Sequence, residues 1–303
     1  MNGGTMDGRK VGVVGLGNMG GGIARNFQRA GVPLAVWDVV PAAREALAAM
    51  PGVEVATPGQ MAASCGTIFF IVPATPEIAD CFDGPDGVLA QAAPGLVVYD
   101  FTTSDPVETR AIAARAAEHG IAYLDAGMSG GAAGADAGTL TLMVGGDRDA
   151  FERTRGLLER ISKRLFHLGS SGTGHTMKLI HNMVCHTVFL ATCEGGRMAE
   201  AAGISLADMI GVFNVSNARS YASEVRFPAH ILSGKWDARS RVYNLRKDVS
   251  MAVALAGSLG AQVPLGTLTS EFLAAAIEQG MTDTDFAHLY PRFDEIVRAT
   301  RTD

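Results

Sequence analysis

The chain has 303 residues, of which 48% are hydrophobic and 18% charged, and its formal net charge is -6. This length is sufficient for two domains, each with an apolar core. A modest negative charge without a basic run argues against nucleic acid as a partner. The sequence contains neither an apolar run of membrane-spanning length nor the apolar segment of a signal peptide. We therefore expect a cytoplasmic protein with no membrane partner.

Short apolar runs alternate with helical patterns over residues 1–170. Strands that alternate with helices in this way form βαβ units and a parallel sheet. The runs are continuously apolar, as expected for strands covered on both faces. The first domain is therefore predicted to be α/β, with a doubly wound parallel sheet. The strand candidates read KVGVVG, PLAVWD, TIFFIV, LVVYDF, AYLDAG, LTLMVGG and RLFHLG.

A glycine motif follows the first strand candidate. Gly15, Gly17 and Gly20 have G-x-G-x-x-G spacing at the opening of a helix. Such glycines allow a tight turn and a close approach of the backbone to a pyrophosphate, which the helix N-terminus also attracts. The next strand ends in Asp38, a little under 20 residues further on, where a carboxylate can bind ribose hydroxyls. The predicted dinucleotide site comprises Gly15, Leu16, Gly17, Asn18, Met19, Gly20 and Asp38.

The residues after Asp38 bear on the choice between NAD and NADP. Asp38 is followed by Val39 and Val40 and not by an arginine that would pair with a 2′-phosphate. A carboxylate also repels that phosphate. NAD is therefore expected, with NADP possible, and Arg44 is the residue best placed to reverse this preference.

Two later strand ends are further candidates for cofactor contacts, since dinucleotides lie across the carboxyl ends of parallel strands. Val72 and Pro73 follow TIFFIV, and Thr102 and Thr103 follow LVVYD. The threonine hydroxyls have two interpretations. They bind the cofactor, or they cap the helix that begins near Pro106.

From residue 171 to residue 303 the apolar positions recur at helical spacing, which predicts an all-helical second domain. Its first helix begins near Thr173 and has apolar residues around most of its circumference, which is typical of a buried helix. Lys178 and Asn182 are four residues apart and share one face of this helix. A solvated lysine is the ordinary alternative. A lysine in a cleft can instead act as a general acid or base, and the amide can orient a substrate oxygen.

Two further segments carry candidate site residues. Ser129, Gly130 and Gly131 can direct successive main-chain N–H groups toward a carboxylate, although turn geometry alone also explains the glycines. Lys247 and Asp248 are predicted to start a second apolar helix, where the helix dipole favours an acidic residue in the first turn. No histidine pair has the spacing of a helical metal site, so no metal is expected.

The motifs VGVVGLGNMG, DAGMSGGAAGADAGTLTLMVGGD, GTGHTMKLIHN and RKDVSMAVALA occur in this order along the chain. In these motifs the sequence resembles the β-hydroxyacid dehydrogenase family, which includes 3-hydroxyisobutyrate dehydrogenase, tartronate semialdehyde reductase and the larger 6-phosphogluconate dehydrogenase. The resemblance implies a Rossmann domain, a long interdomain helix and a helical domain that mediates oligomerisation. A homodimer or homotetramer is therefore expected.

The resemblance also implies roles for individual residues. Lys178 matches the catalytic lysine. Where the family typically has Pro-Val before the Ser-Gly-Gly run, this chain has Gly127 and Met128, for which we expect a looser backbone and a differently shaped pocket. The implied substrate-binding residues are Ser129, Gly130, Gly131 and Asn182, and the implied further cofactor contacts are Val72, Pro73, Thr103 and Lys247.

The expected function is the NAD-dependent interconversion of a small 3-hydroxy acid, which bears a carboxylate, and its semialdehyde. Two alternatives are an imine reductase and a non-catalytic dinucleotide-binding interaction module. Imine reductases on this scaffold commonly have aspartate or tyrosine in place of the lysine, and the non-catalytic relatives have lost the lysine. Lys178 therefore argues against both alternatives.

Overall fold

A computed structural model describes residues 9–300 of the chain. The chain divides into two compact units between Lys178 and Leu179. The predicted division of function between residues 1–170 and 171–303 stays a prediction. Within the described residues, no helix combines the length and the apolar character needed to cross a membrane.

The first unit is built on an eight-stranded sheet with the order β3-β2-β1-β4-β5-β6-β7-β8. The first strand, β1, is third in this order, and the neighbours β1 and β4 lie where the strand order reverses. In open α/β sheets, ligands bind at the carboxyl ends of the strands beside such a point. The strands are β1 (Lys10–Val14), β2 (Leu34–Trp37), β3 (Val53–Val55), β4 (Cys65–Phe70), β5 (Val97–Asp100), β6 (Ala122–Ser129), β7 (Leu140–Gly145) and β8 (Ser162–His167).

Helices cover both faces of this sheet. Val13 of β1 belongs to an apolar cluster that includes Phe27, whereas Val14 belongs to another that includes Met61. Because successive strand residues point to opposite faces, both faces of β1 are buried. The predicted doubly wound α/β fold is confirmed. The helices of this unit are α1 (Gly20–Arg29), α2 (Pro41–Ala48), α3 (Pro58–Ser64), α4 (Thr75–Phe82), α5 (Val88–Gln91), α6 (Pro106–Glu118), α7 (Gly131–Ala137) and α8 (Arg148–Leu158).

The sheet departs from the prediction in two places. The edge strand β3 has three residues and was not predicted, because VEV has no continuous apolar run. In addition, β7 pairs antiparallel with β6, whereas the other neighbouring strands are parallel. A parallel return needs a crossover of about a dozen or more residues, and residues 130–139 are too few for one.

The second unit is helical, and residues 173–300 contain no strand, as predicted. Its core contains Phe189 from α9, Leu245 from α11 and Phe272 from α12. A π-helix occupies Ala222–Leu232 between α10 and α11. The α-helices are α9 (Thr173–Ala201), which begins in the first unit, α10 (Leu206–Asn214), α11 (Val242–Ser258), α12 (Pro264–Ala276) and α13 (Phe293–Thr300). A second π-helix at Ile277–Met281 and a 3₁₀-helix at Phe286–Leu289 lie between α12 and α13.

Helix α9 is not buried on all sides as its composition predicts. Met177, Ile180, Val184 and Val188 follow one face of the helix and are between 36% and 53% exposed in the single chain. Other apolar residues of α9, such as Leu179 and Phe189, are fully buried. The apolar circumference therefore does not by itself indicate burial of the whole helix.

Candidate active site

The glycine turn between β1 and α1 fits a nucleotide phosphate. Gly15 has a φ of +89°, and a Cβ there would lie 2.2 Å from the carbonyl oxygen of Ile71. A Cβ on Gly20 would lie 1.8 Å from the carbonyl oxygen of Gly15. The neighbouring main-chain oxygens therefore leave no room for a side chain at either position. A Cβ on Gly17 would have no atom within 4 Å, so the space beside it is open to a bound group.

Asp38 connects the end of β2 to this turn. Its Oδ2 accepts a hydrogen bond of 2.6 Å from the Leu16 N–H, and its Oδ1 accepts one of 2.8 Å from the Val40 N–H. The first turn of α1 contains no acidic residue, and the N-cap residue Met19 makes no side-chain cap. An anion is favoured at such a helix N-terminus, so these residues fit the pyrophosphate and ribose of NAD.

Arg44 lies beside Asp38. Its Nη1 donates a 2.9 Å hydrogen bond to the main-chain oxygen of Asp38, and its guanidinium lies 4.5 Å from the centre of the Trp37 ring. A cation is thus fixed next to the carboxylate that is predicted to read the ribose. This position is compatible with the secondary expectation of NADP binding.

The loops after β4 and β5 lie at the same edge of the sheet. Val72 lies near the glycine turn, since a Cβ on Gly15 would be 3.4 Å from Val72 Cγ1. Pro73 is exposed. The alternative that Thr102 or Thr103 caps α6 is wrong, because the Asp105 side chain accepts the capping hydrogen bond from the Val107 N–H.

The threonine after β5 is held in place through its main chain. Thr102 is buried. Its N–H donates to Asp100 Oδ1 at 2.9 Å. The next residue, Thr103, is the predicted cofactor contact and directly follows this fixed position.

Ser129 is the last residue of β6, and the chain turns there into α7. Gly130 and Gly131 have φ values of +126° and +60°, which L side chains rarely adopt. Gly127 and Met128 lie inside β6 and pair with Met143 and Leu142. The backbone at Gly127 and Met128 is thus a regular strand and not the looser segment expected from the sequence.

Lys178 lies directly against the strand that leads to Ser129. Its Nζ donates a 2.5 Å hydrogen bond to the main-chain oxygen of Met128, and its side chain is half-buried. A Cβ on Gly127 would lie only 2.6 Å from Lys178 Cβ. The first unit therefore brings the predicted catalytic lysine next to the predicted carboxylate-binding run.

Asp125 holds the start of α9, a role that the sequence did not reveal. This fully buried carboxylate accepts hydrogen bonds of 2.7 Å from the Gly172 N–H and 2.8 Å from the His175 N–H. Both N–H groups belong to the beginning of the helix that carries Lys178, and such groups need partners when buried. In the sequence, this role is indicated by the presence of an acidic residue inside an otherwise apolar strand candidate.

A second buried carboxylate, Asp100, lies in the same region. It accepts a 2.7 Å hydrogen bond from the Tyr123 hydroxyl, and its main-chain oxygen lies 3.1 Å from His175 Nε2. The Nδ1 atom of His175 is 2.7 Å from the Thr109 hydroxyl. Burial raises the pKa of the Asp100 carboxyl above its ordinary value, against the opposing effects of His175 and Tyr123.

In the second unit, Asn182 is paired with Asp248. Asn182 Nδ2 donates a 2.6 Å hydrogen bond to Asp248 Oδ2, and Lys247 Nζ lies 3.7 Å from Asp248 Oδ1. The prediction that Asp248 occupies the first turn of its helix is wrong, since α11 begins at Val242. The Asn182 contact replaces the helix dipole as the explanation for this residue. Among the described residues, no three His, Cys, Asp or Glu side chains gather as a metal site requires.

Comparison with known proteins agrees with this arrangement. A family model described as the NAD binding domain of 6-phosphogluconate dehydrogenase matches residues 10–169. Another, described as NAD-binding of NADP-dependent 3-hydroxyisobutyrate dehydrogenase, matches residues 172–293. Together the two matches follow the α/β and helical parts of the chain.

Individual relatives cover nearly the whole chain. The NAD-dependent L-serine dehydrogenase of Pseudomonas aeruginosa is 31% identical over 94% of this chain and 98% of its own length. The 2-(hydroxymethyl)glutarate dehydrogenase of Eubacterium barkeri is 29% identical over 92% of each chain. The structure of Mycobacterium tuberculosis 3-hydroxyisobutyrate dehydrogenase with L-serine is 28% identical, with a TM-score of 0.85 over 94% of this chain and 99% of that one. This chain therefore belongs to the β-hydroxyacid dehydrogenase family and is an NAD(P)-dependent 3-hydroxyacid dehydrogenase.

Proposed function

We propose that the protein interconverts a small 3-hydroxy acid and its semialdehyde with NAD, and that Lys178 is the general acid and base. The observation that carries this proposal is the contact between Lys178 Nζ and the main-chain oxygen of Met128. It fixes the ammonium one residue before the run of Ser129, Gly130 and Gly131. Lys178 and the run of Ser129, Gly130 and Gly131 thus lie side by side in the first unit.

Each of the predicted site residues has a separate role in the proposed reaction. The N–H groups of Ser129, Gly130 and Gly131 bind the substrate carboxylate, and Gly130 and Gly131 permit the required backbone turn. Lys178 accepts the hydroxyl proton during oxidation and returns it during reduction. Asn182 also binds the substrate, and Lys247 contacts the cofactor. When bound, the nicotinamide supplies the hydride chemistry.

The relatives suggest a substrate class. Serine, 3-hydroxyisobutyrate and 2-(hydroxymethyl)glutarate, which their names specify, each carry a hydroxymethyl group on the carbon next to a carboxylate. We propose the same arrangement for the substrate of this protein. The third substituent on that carbon distinguishes the candidates, and a difference of one methylene contributes only about 1–3 kcal/mol to discrimination.

The test is a measurement of initial rates of NADH formation by the purified protein. The panel comprises 3-hydroxyisobutyrate, L-serine, 2-(hydroxymethyl)glutarate, glycerate and 3-hydroxypropionate, each with NAD and with NADP. Saturable turnover of at least one member with NAD is expected. Absence of turnover in both directions, with the semialdehydes also tested and NADH binding intact, would contradict the proposal and favour imine reduction.

A further inference from the structure

The side chain of Asn182 is held by a neighbour on another helix of the second unit. Asn182 is 7% exposed, and Asp248 of α11 is 8% exposed. The hydrogen bond from Asn182 Nδ2 to Asp248 Oδ2 measures 2.6 Å. Hydrogen bonds between an amide and a buried carboxylate are short and strong, so this contact restricts the amide.

The chemistry of the pair also determines which way the amide faces. An ionised carboxylate only accepts hydrogen bonds, so the NH₂ end of Asn182 must point toward Asp248. Its oxygen then faces the other side, where His181 Nδ1 lies 3.0 Å from Asn182 Oδ1. Asp248 therefore selects one of the two amide orientations, and the carbonyl oxygen keeps a second lone pair available for a ligand.

The location of Asp248 excludes a capping role and a helix-dipole role for its carboxylate. Asp248 lies well inside α11, which begins at Val242, so it neither caps the helix nor occupies the first turn. Burial of an acidic side chain in the interior of an apolar helix costs desolvation free energy unless the carboxylate is hydrogen-bonded or paired with a cation. Here the charge lies between the Asn182 amide and the Lys247 ammonium, 3.7 Å from the latter.

We propose that Asp248 is a positioning residue that acts through Asn182 and fixes the amide orientation needed to bind the substrate. The proposal rests on the proposed function, in which Asn182 binds the substrate. Asp248 itself makes no substrate contact in this proposal. Its removal leaves the Asn182 amide free to rotate, so that only a fraction of the molecules presents the productive orientation.

The first test compares Asp248→Ala with Asp248→Asn, using the substrate that the wild-type protein turns over. Asp248→Ala is expected to lower kcat/KM by about 10- to 100-fold, the effect of losing a hydrogen bond to a charged group. Asp248→Asn keeps a hydrogen-bonding partner for Asn182, but asparagine can offer either its oxygen or its NH₂ group, so it no longer selects one orientation and is expected to recover only part of this loss. NADH binding and the melting temperature should differ little between the two variants.

The second test is a double-mutant cycle with Asn182→Ala. If Asp248 acts through Asn182, Asp248→Ala has no further effect on kcat/KM in the Asn182→Ala background. Full additivity of the two substitutions would overturn the proposal. It would also be overturned if the effect disappeared in a Lys247→Ala background but persisted in the Asn182→Ala background, since Asp248 would then act through the lysine.

A third measurement does not depend on activity. In protein labelled with ¹⁵N-asparagine, the Asn182 side-chain signal is identified by its loss in Asn182→Ala. We expect this signal to move in Asp248→Ala and also in Asp248→Asn, because asparagine is both donor and acceptor and does not hold the Asn182 amide in one orientation. An unchanged signal in Asp248→Ala overturns the inference. A wild-type protein that lacks turnover but shows the expected shifts would refute the proposed function alone.

Discussion

Lys178 is fixed by a neutral acceptor, the main-chain oxygen of Met128. A carbonyl orients the ammonium without adding the full negative charge of a carboxylate, which would favour the charged form of the lysine more strongly. The half-buried side chain is thus held in place, and in the proposed function it exchanges a proton with the substrate. This combination suits a group that must act as a base in one direction and as an acid in the other.

Replacement of Lys178 tests its role directly. Lys178→Ala should lower kcat by about 10²- to 10⁴-fold, the usual contribution of general acid–base catalysis, while NADH binding is retained. Steady-state kinetics and fluorescence titration with NADH measure the two quantities. The matched control is Lys163→Ala, which removes an exposed lysine of β8. Equal activity of the Lys178→Ala variant and the control would rule out the assignment.

Asp38 is expected to determine the preference for NAD. Asp38→Ala should lower the ratio of kcat/KM for NAD to that for NADP by about tenfold or more, because the hydrogen bonds to the ribose hydroxyls are lost. Both cofactors should also bind less tightly, since the Leu16 and Val40 N–H groups lose their acceptor. The ratio, measured from initial rates, separates the two effects. An unchanged ratio would show that Asp38 does not read the ribose.

The sequence revealed those residues whose partners are close along the chain. Gly15, Gly20 and Asp38 belong to one strand-helix-strand unit, so spacing alone located them. Asp125 and Asp248 were not recognised as positioning groups, because their hydrogen-bond partners are distant in sequence: Gly172 for Asp125 and Asn182 for Asp248. Such pairs depend on how elements pack, which no local pattern records.

At the scale of elements, strand β6 positions the start of α9 through three contacts. Asp125 accepts hydrogen bonds from the first N–H groups of the helix, Gly127 allows a close approach, and Met128 binds the lysine. Gly174 of α9 contributes to the same packing, as a Cβ there would lie 2.6 Å from the Asp125 main-chain oxygen. Small residues on both elements therefore bring Lys178 close to the strand.

Addition of one methyl group at Gly127 tests this packing. In Gly127→Ala the new Cβ would lie 2.6 Å from Lys178 Cβ, so the helix or the strand must move. Displacement of a catalytic group by about 1 Å can lower the rate by about 100-fold, so kcat should fall by about 10- to 100-fold. Overpacking should also cost about 1–3 kcal/mol of unfolding free energy, measured by urea denaturation.

The matched control for Gly127 is Gly156→Ala in α8. Gly156 is exposed, and a Cβ there would have no atom within 4 Å. This substitution should preserve kcat and increase stability by up to about 1 kcal/mol, since alanine favours the helix. Wild-type kcat in Gly127→Ala would show that the close approach of α9 to β6 does not determine the lysine position.

The elements themselves were predictable where periodicity was strong and uninterrupted. The seven apolar runs became strands, and α9 begins at Thr173 as expected. The start of α11 was placed too late, although Val242, Leu245 and Val249 recur at helical spacing and are buried. The charged Lys247-Asp248 pair moved the predicted start away from this apolar pattern. The direction of β7 depends on the length of its connection to β6, which apolar periodicity does not report.

For the whole molecule, the buried carboxyl of Asp100 makes stability depend on pH. Asp100 is fully buried, lies near His175 and accepts a hydrogen bond from the Tyr123 hydroxyl. Burial raises the pKa of Asp100 above 3.8, and desolvation is the largest cause. The folded protein therefore retains a proton on this carboxyl at pH values where the unfolded chain has released it.

This difference in proton binding predicts the effect of Asp100→Asn. Above pH 3.8, rising pH favours the unfolded state until the folded pKa of Asp100 is passed, because the folded state binds more protons. An asparagine side chain does not titrate in this pH range, so the variant lacks this contribution. The unfolding free energy of Asp100→Asn minus that of the wild type should therefore increase as the pH rises from 4 toward 8, whatever its constant offset. Urea denaturation across this range measures the difference.

The control for this prediction keeps the carboxyl and removes a group that binds it. Tyr123→Phe deletes the hydroxyl that donates to Asp100 Oδ2, and this hydrogen bond lowers the Asp100 pKa. Its loss should raise the folded pKa further and extend the decline in stability to higher pH. If Asp100→Asn and the wild type instead gave parallel curves, Asp100 would have the same proton affinity in both states. The effects of His175 and Tyr123, which favour the ionised carboxylate, would then cancel the desolvation penalty of Asp100. Burial of this carboxyl would not lower the stability of the fold at neutral pH.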